Sequence, residues 1–158
     1  MNALKWGIIF SIAMLLWLTV ERIAGLHHQN IEYHFFLTNI FAIIAIAIYV
    51  LALRDKKRNL PDQQMSWLTG FISGVKLTLV IAILAPLVQL IFHTTISPEF
   101  FDNMRHHAVA SGMMSDMRAE EYFTLTAYIF QSIVGAIGLG LITSAVVAFF
   151  LRSKTTQS

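Results

Sequence analysis

All six histidines, His27, His28, His34, His93, His106 and His107, fall in two stretches, 27–34 and 93–107. Four of the seven methionines, Met104, Met113, Met114 and Met117, lie in or just after the second. Imidazole with thioether suits copper, and imidazole with a carboxylate such as Glu32 or Glu99 suits zinc. Met113 and Met117 are one helical turn apart. The candidate metal-ligating set read from the sequence is His106, His107, Met113 and Met117. Neighbouring histidines diverge on a helix, so one member of each adjacent pair can serve a given centre. A plainer reading asks for no ligand, since imidazole suits a membrane interface and methionine there makes ordinary apolar contact. A pH-sensitive outer surface is a third use of the same residues.

Other reactive constellations are missing. There are no cysteines, which excludes disulfides, thiolate metal sites and cysteine nucleophiles. Phosphate-cradling glycine loops, His-Glu-x-x-His and Gly-x-Ser-x-Gly do not occur. Glu120 and Glu121 are sequence neighbours rather than a facing catalytic pair. With polar groups scattered rather than converging at one depth, the expectation is a protein without enzymatic activity and without a cofactor.

The elements that carry these side chains are set by composition. Of 158 residues, 56% are apolar and 13% charged, about half the charged share of an ordinary soluble domain. Mean hydropathy is +0.66. Residues 6–20, 33–53, 77–98 and 122–151 contain no Asp, Glu, Lys or Arg. A bilayer core takes about 20 helical residues. The expectation is an all-α integral membrane four-helix bundle, built as two hairpins in a single membrane domain over 1–158, with spans near 4–23, 35–53, 68–92 and 125–151. The first span has the look of a signal peptide, but Glu21-Arg22-Ile23-Ala24-Gly25 follows it without a small-x-small site, so it reads as a retained anchor.

Lys5, Arg54, Lys56, Lys57, Arg58, Arg152 and Lys154 fall on one side of such a bundle, against Arg22, Arg105 and Arg118 on the other. The positive-inside rule puts both termini and the loop 54–66 in the cytoplasm of a multi-pass inner-membrane protein. That sorting by side leaves no basic, aromatic-interleaved face for nucleic acid despite the net charge of +2. The outer segment, roughly 97–121, reads as short amphipathic helices between the third and fourth spans. Ser97-Pro98 suits the start of the first, and Ser115-Asp116 the start of the second after a Ser111-Gly112 break. Phe100, Phe101, Met104 and Ala108 give the first an apolar face able to lie on the membrane surface.

Small residues recur every four positions in two spans: Gly70, Gly74, Thr78 and Ala82 in the third, and Ser132, Ala136, Gly140, Ser144 and Ala148 in the fourth. Such stripes let helix backbones approach closely, either within the chain or against a second copy or a membrane-protein partner. Pro86 bends the third span. Gln89 and Gln131 can bond across the bundle or line a polar cavity. Lys76, the one charge inside a span, either snorkels to the headgroups or serves passage of a substrate. Glu21 and Arg22 are expected to pair with the outer segment.

From its first span to its fourth, the chain resembles a bacterial family of uncharacterised four-span membrane proteins, domain of unknown function 4199. An apolar hairpin leads to Arg54-Asp55-Lys56, and Met65-Ser66-Trp67 then enters a span carrying Gly70 and Gly74. Pro98-Glu99-Phe100, the Ser111-Gly112 break and a glycine-rich last span follow. The resemblance implies fold and topology and supplies no activity or site residues. The functional expectation is a non-enzymatic interaction or accessory subunit in the bilayer. The alternative is a protein that binds or transports a small cation or metal, copper or zinc, through its outer His/Met-rich segment.

Overall fold

The computed structural model describes residues 1–153; Lys154 of the basic tail lies outside them. Every regular element among the described residues is helical: α1 Ala3–Ile23, α2 His34–Leu37, α3 Phe41–Arg58, α4 Trp67–Ile91, α5 Phe100–Ala110, α6 Asp116–Tyr122 and α7 Leu125–Leu151. Four stretches, Ala3–Ile23, Ile31–Arg58, Trp67–Ile96 and Leu125–Leu151, are long and apolar enough to cross a membrane. Leu16, Ile43, Ile83, Leu139 and Phe150 point outward from them, as helices solvated by lipid require. Helices α1, α4 and α7 begin on side-chain caps: Asn2 accepts from the Lys5 N–H at 3.2 Å, Ser66 from Thr69 at 3.1 Å, and Thr124 from Ala127 at 3.1 Å.

Helix α4 is the hub, packed on α7 along its length and on α1 across its other side. The small residues explain the α4–α7 approach. A Cβ added to Gly70 would stand 3.0 Å from that of Ala148, and one on Gly140 would stand 2.6 Å from the Thr78 side chain. Gly74 faces Ser144 as closely, and Ala82 is buried one turn beyond Thr78. The hydroxyls in this seam are satisfied: Thr78 donates to the Gly74 carbonyl at 3.0 Å, Ser144 to Gly140 at 2.6 Å, and Tyr49 shares a 2.8 Å bond with Thr78. Ser132 and Ala136 lie on the part of α7 that diverges from α3 and borders a cleft.

Two ends of the bundle differ in chemistry. At the basic end the Trp6 indole donates to Asp55 at 3.1 Å, and Lys57 Nζ donates to the Leu151 carbonyl at 2.9 Å. The turn Pro61–Gln63 holds Asp62 and Gln63 at φ 52° and 53°. Lys76 is exposed on α4 and makes no ion pair among the described residues.

At the histidine end α4 runs into a five-residue π turn, Phe92–Ile96. The α5 helix starts at Phe100 rather than at Pro98, because the Ser97 side chain bonds His27 and does not cap. The expected apolar face of α5 is turned into the protein: Phe100, Met104 and Ala108 pack with Ile31, Ala119 and Phe123. Covering these side chains with α6 removes them from water more completely than lying flat on a headgroup layer would. Gly112, at φ 70°, makes the turn between α5 and α6.

Candidate metal centre

Helix α1 stops just past Glu21 on a glycine. The Leu26 N–H bonds the Glu21 carbonyl and the Gly25 N–H bonds the Arg22 carbonyl, both at 3.0 Å, with Gly25 at φ 80°. This is the Schellman arrangement, which needs a left-handed residue and reverses the chain within one turn. The reversal brings His27 back over the side chain of Glu21. The following short helical turns, Ile31–Tyr33 and His34–Leu37, then place His34 on the other side of the same carboxylate.

The result is a closed cluster. Glu21 Oε2 lies 3.7 Å from His27 Nε2 and 3.8 Å from His34 Nδ1. One ligand-type atom from each residue falls within 4.8 Å of the others, and all three residues are buried. These same atoms, Glu21 Oε2, His27 Nε2 and His34 Nδ1, have no hydrogen-bond partner. Buried polar atoms are nearly always paired, so three orphans facing one point call for a shared partner. A tetrahedral zinc with ligands at 2.0–2.1 Å sets its donors about 3.3 Å apart; the two carboxylate–imidazole pairs, at 3.7 and 3.8 Å, reach that spacing by closing about half an ångström, and the two imidazole nitrogens, within 4.8 Å of each other, close with them.

The remaining polar atoms of the cluster are oriented from outside. The Trp17 indole donates to Glu21 Oε1, one turn back on α1. His27 Nδ1 stands 3.2 Å from Ser97 Oγ; a proton there leaves the Nε2 lone pair turned to the carboxylate. Outer partners of this kind fix tautomer and ring angle at metal centres. Phe92 and Phe100 enclose the His27 ring at 5.4 and 4.7 Å, and Phe100 packs on His34 at 5.4 Å. The π turn ending α4 is what delivers both Phe92 and Ser97. His93 lies behind Phe100, with Nε2 3.0 Å from Gln89 Oε1 and Nδ1 unpaired.

A half-exposed clasp covers the cluster. Glu99 accepts from Arg22 at 3.0 Å and stands 3.2 Å from His28 Nε2. Asn103 donates to the His27 carbonyl at 2.8 Å and meets His28 Nδ1 at 2.9 Å. Glu99's own backbone N–H, helped by Arg22 and His28, holds its carboxyl below the usual carboxylate range against the opposing effect of burial.

In the turn after α1 the first histidine pair diverges, with His27 buried and His28 exposed. His106 is exposed on α5 beside Asp102, Asp116 and Glu120, while His107 is half-buried. Met113 and Met117 are both exposed. Among the described residues, the set of three His, Asp or Glu donors close enough to share an ion is Glu21, His27 and His34, and neither His106 nor His107 belongs to it. Arg22 does pair with the segment between α4 and α7, through Glu99, but Glu21 turns inward. Sequence reasoning passed over Glu21 because it stands beside Arg22 at a span end. The available signal was a lone acid closing the uncharged run 6–20, with three histidines within the next 13 residues.

No curated protein and no solved structure matches the chain. The family described as Protein of unknown function (DUF4199) matches residues 5–153, and with nearly the whole length covered the chain belongs to that family.

Proposed function

We propose that this is a non-enzymatic inner-membrane protein that holds one divalent transition-metal ion between Glu21, His27 and His34. The observation carrying the reading is the convergence of three buried, unpaired donor atoms from the end of α1, the turn that follows it and the start of α2. Two imidazoles and a carboxylate form a borderline donor set that suits zinc, with a fourth position left for water or another ligand. The charge sorting noted above supports an orientation with both termini cytoplasmic and this centre on the outer side. An accessory role through the small-residue stripes has less support, because Gly70, Gly74, Gly140 and Ser144 are used within the chain.

Zinc competition titration of the detergent-purified protein tests the reading. One zinc per chain is expected. Glu21→Gln and His34→Ala should each weaken binding by more than about 100-fold, beyond what loss of an outer partner costs. Absence of stoichiometric zinc, or unchanged affinity in Glu21→Gln, would overturn it.

A further inference from the structure

Helices α3 and α7 meet near the basic end, where Tyr49 and Leu53 pack with Val147 and Ala148. Toward the histidine end they part, leaving a cavity of about 510 Å³ floored by α1 and α4. That volume is in the range of small-molecule sites, about 300–1,000 Å³. Its walls are mostly apolar, from Phe10, Phe41 and Ala45 to Ile81, Val88 and Ala136, and no charged residue lines it. The exposed side chains Ile46 and Leu139 mark its rim, so it opens sideways toward lipid.

The end nearest the histidines is polar. Gln89 is 8% exposed and lines the cavity; its Oε1 is matched with His93, while its Nε2 has no hydrogen-bond partner among the described residues. The Gln131 amide and the Tyr128 hydroxyl border the same space and are likewise unmatched among the described residues. Unpaired amides and hydroxyls at bilayer depth cost several kcal/mol each when nothing bonds them. An apolar trough with uncharged donors and acceptors gathered at one end has the polarity of an amphipathic molecule.

We propose that this cleft binds a neutral lipid, its uncharged hydroxyl- or carbonyl-bearing head against Gln89, Gln131 and Tyr128, and its chain leaving between α3 and α7. Charged headgroups are excluded because no counter-charge lines the cavity and desolvating an ion there is costly. The inference is independent of the metal centre, which lies beyond Phe100.

The test uses the protein in phosphatidylcholine nanodiscs, probed separately with 1-monooleoylglycerol, decylubiquinone and oleate, with bound probe counted by native mass spectrometry. One saturable monooleoylglycerol or decylubiquinone per chain is expected; whichever of the two binds tells an acylglycerol from a quinone source, and oleate should not saturate. Gly135→Leu fills the cleft from α7 and should abolish binding; a Cβ there meets nothing within 4 Å, so the fold tolerates it. Gly138→Leu is equally unobstructed but outside the lining, and should bind as wild type. Gln89→Leu should weaken binding by about tenfold, the loss of one ordinary hydrogen bond. Zinc uptake measured on the same samples should be unchanged by Gly135→Leu. Saturable binding of neither neutral probe, equal binding of oleate, or identical behaviour of Gly135→Leu and Gly138→Leu would overturn the proposal.

Discussion

Glu21 is buried to 1% exposure with a single indole N–H donor on one oxygen and two unpaired imidazole nitrogens, His27 Nε2 and His34 Nδ1, near the other. A carboxylate desolvated to this degree is expensive unless a cation balances it. The residue should therefore cost stability without metal and add to it with metal. Without zinc, Glu21→Gln is expected to melt at or above the wild-type temperature. With zinc at 100 times its Kd, wild type should gain about 2.7 kcal/mol by linkage, and Glu21→Gln should gain none. Thermal unfolding with and without zinc separates this from a structural role, in which Glu21→Gln would be destabilised in both conditions. Ser97→Ala and Trp17→Phe leave the three donors in place but each removes an outer partner of one of them, so zinc affinity should drop about 10–100-fold in each.

The elements around the centre explain why it was only half legible in the sequence. Histidine clustering at one end was visible, as was the limit of one member of each adjacent pair to a given centre. Which pair and which acid depended on a helix-ending turn at Gly25, and the text Ala24-Gly25-Leu26 does not reveal that its hydrogen bonds run back to Glu21 and Arg22. Gly25→Ala should destabilise the protein by about 1–2 kcal/mol through forced left-handed geometry and should weaken zinc binding with it. The stripes on α4 and α7 were legible because close helix approach needs small residues at fixed spacing. Gly74→Leu, against Ser144, should cost about 1–3 kcal/mol by overpacking, measured by thermal unfolding. The clasp adds a pH dependence. Glu99's folded pKa is depressed, so its contribution is present above the ordinary carboxylate range and is lost as pH falls through the folded value. Melting temperature in acid should therefore fall more steeply for wild type than for Glu99→Gln.

At the scale of the whole molecule, the solvent sets the architecture. A chain 56% apolar and 13% charged buries its backbone hydrogen bonds in helices and shows lipid an apolar exterior. Both were readable from composition and uncharged run lengths. The cap was read less well. Its amphipathic face is compatible with a membrane surface, and only the tertiary contacts of Phe100, Met104 and Ala108 show it closed over the bundle end. If the positive-inside orientation proposed above holds, single cysteines at Gln29 and Ala110 should react with an impermeant label on intact cells, and one at Asn59 only after lysis. The most direct test of the central claim is X-ray absorption at the zinc edge of the loaded protein. A first shell of two imidazole nitrogens with oxygen ligands from the carboxylate and water is expected, lost in Glu21→Gln. Sulfur scattering from methionine, or a spectrum unchanged in Glu21→Gln but altered by His106→Ala or His107→Ala, would contradict it.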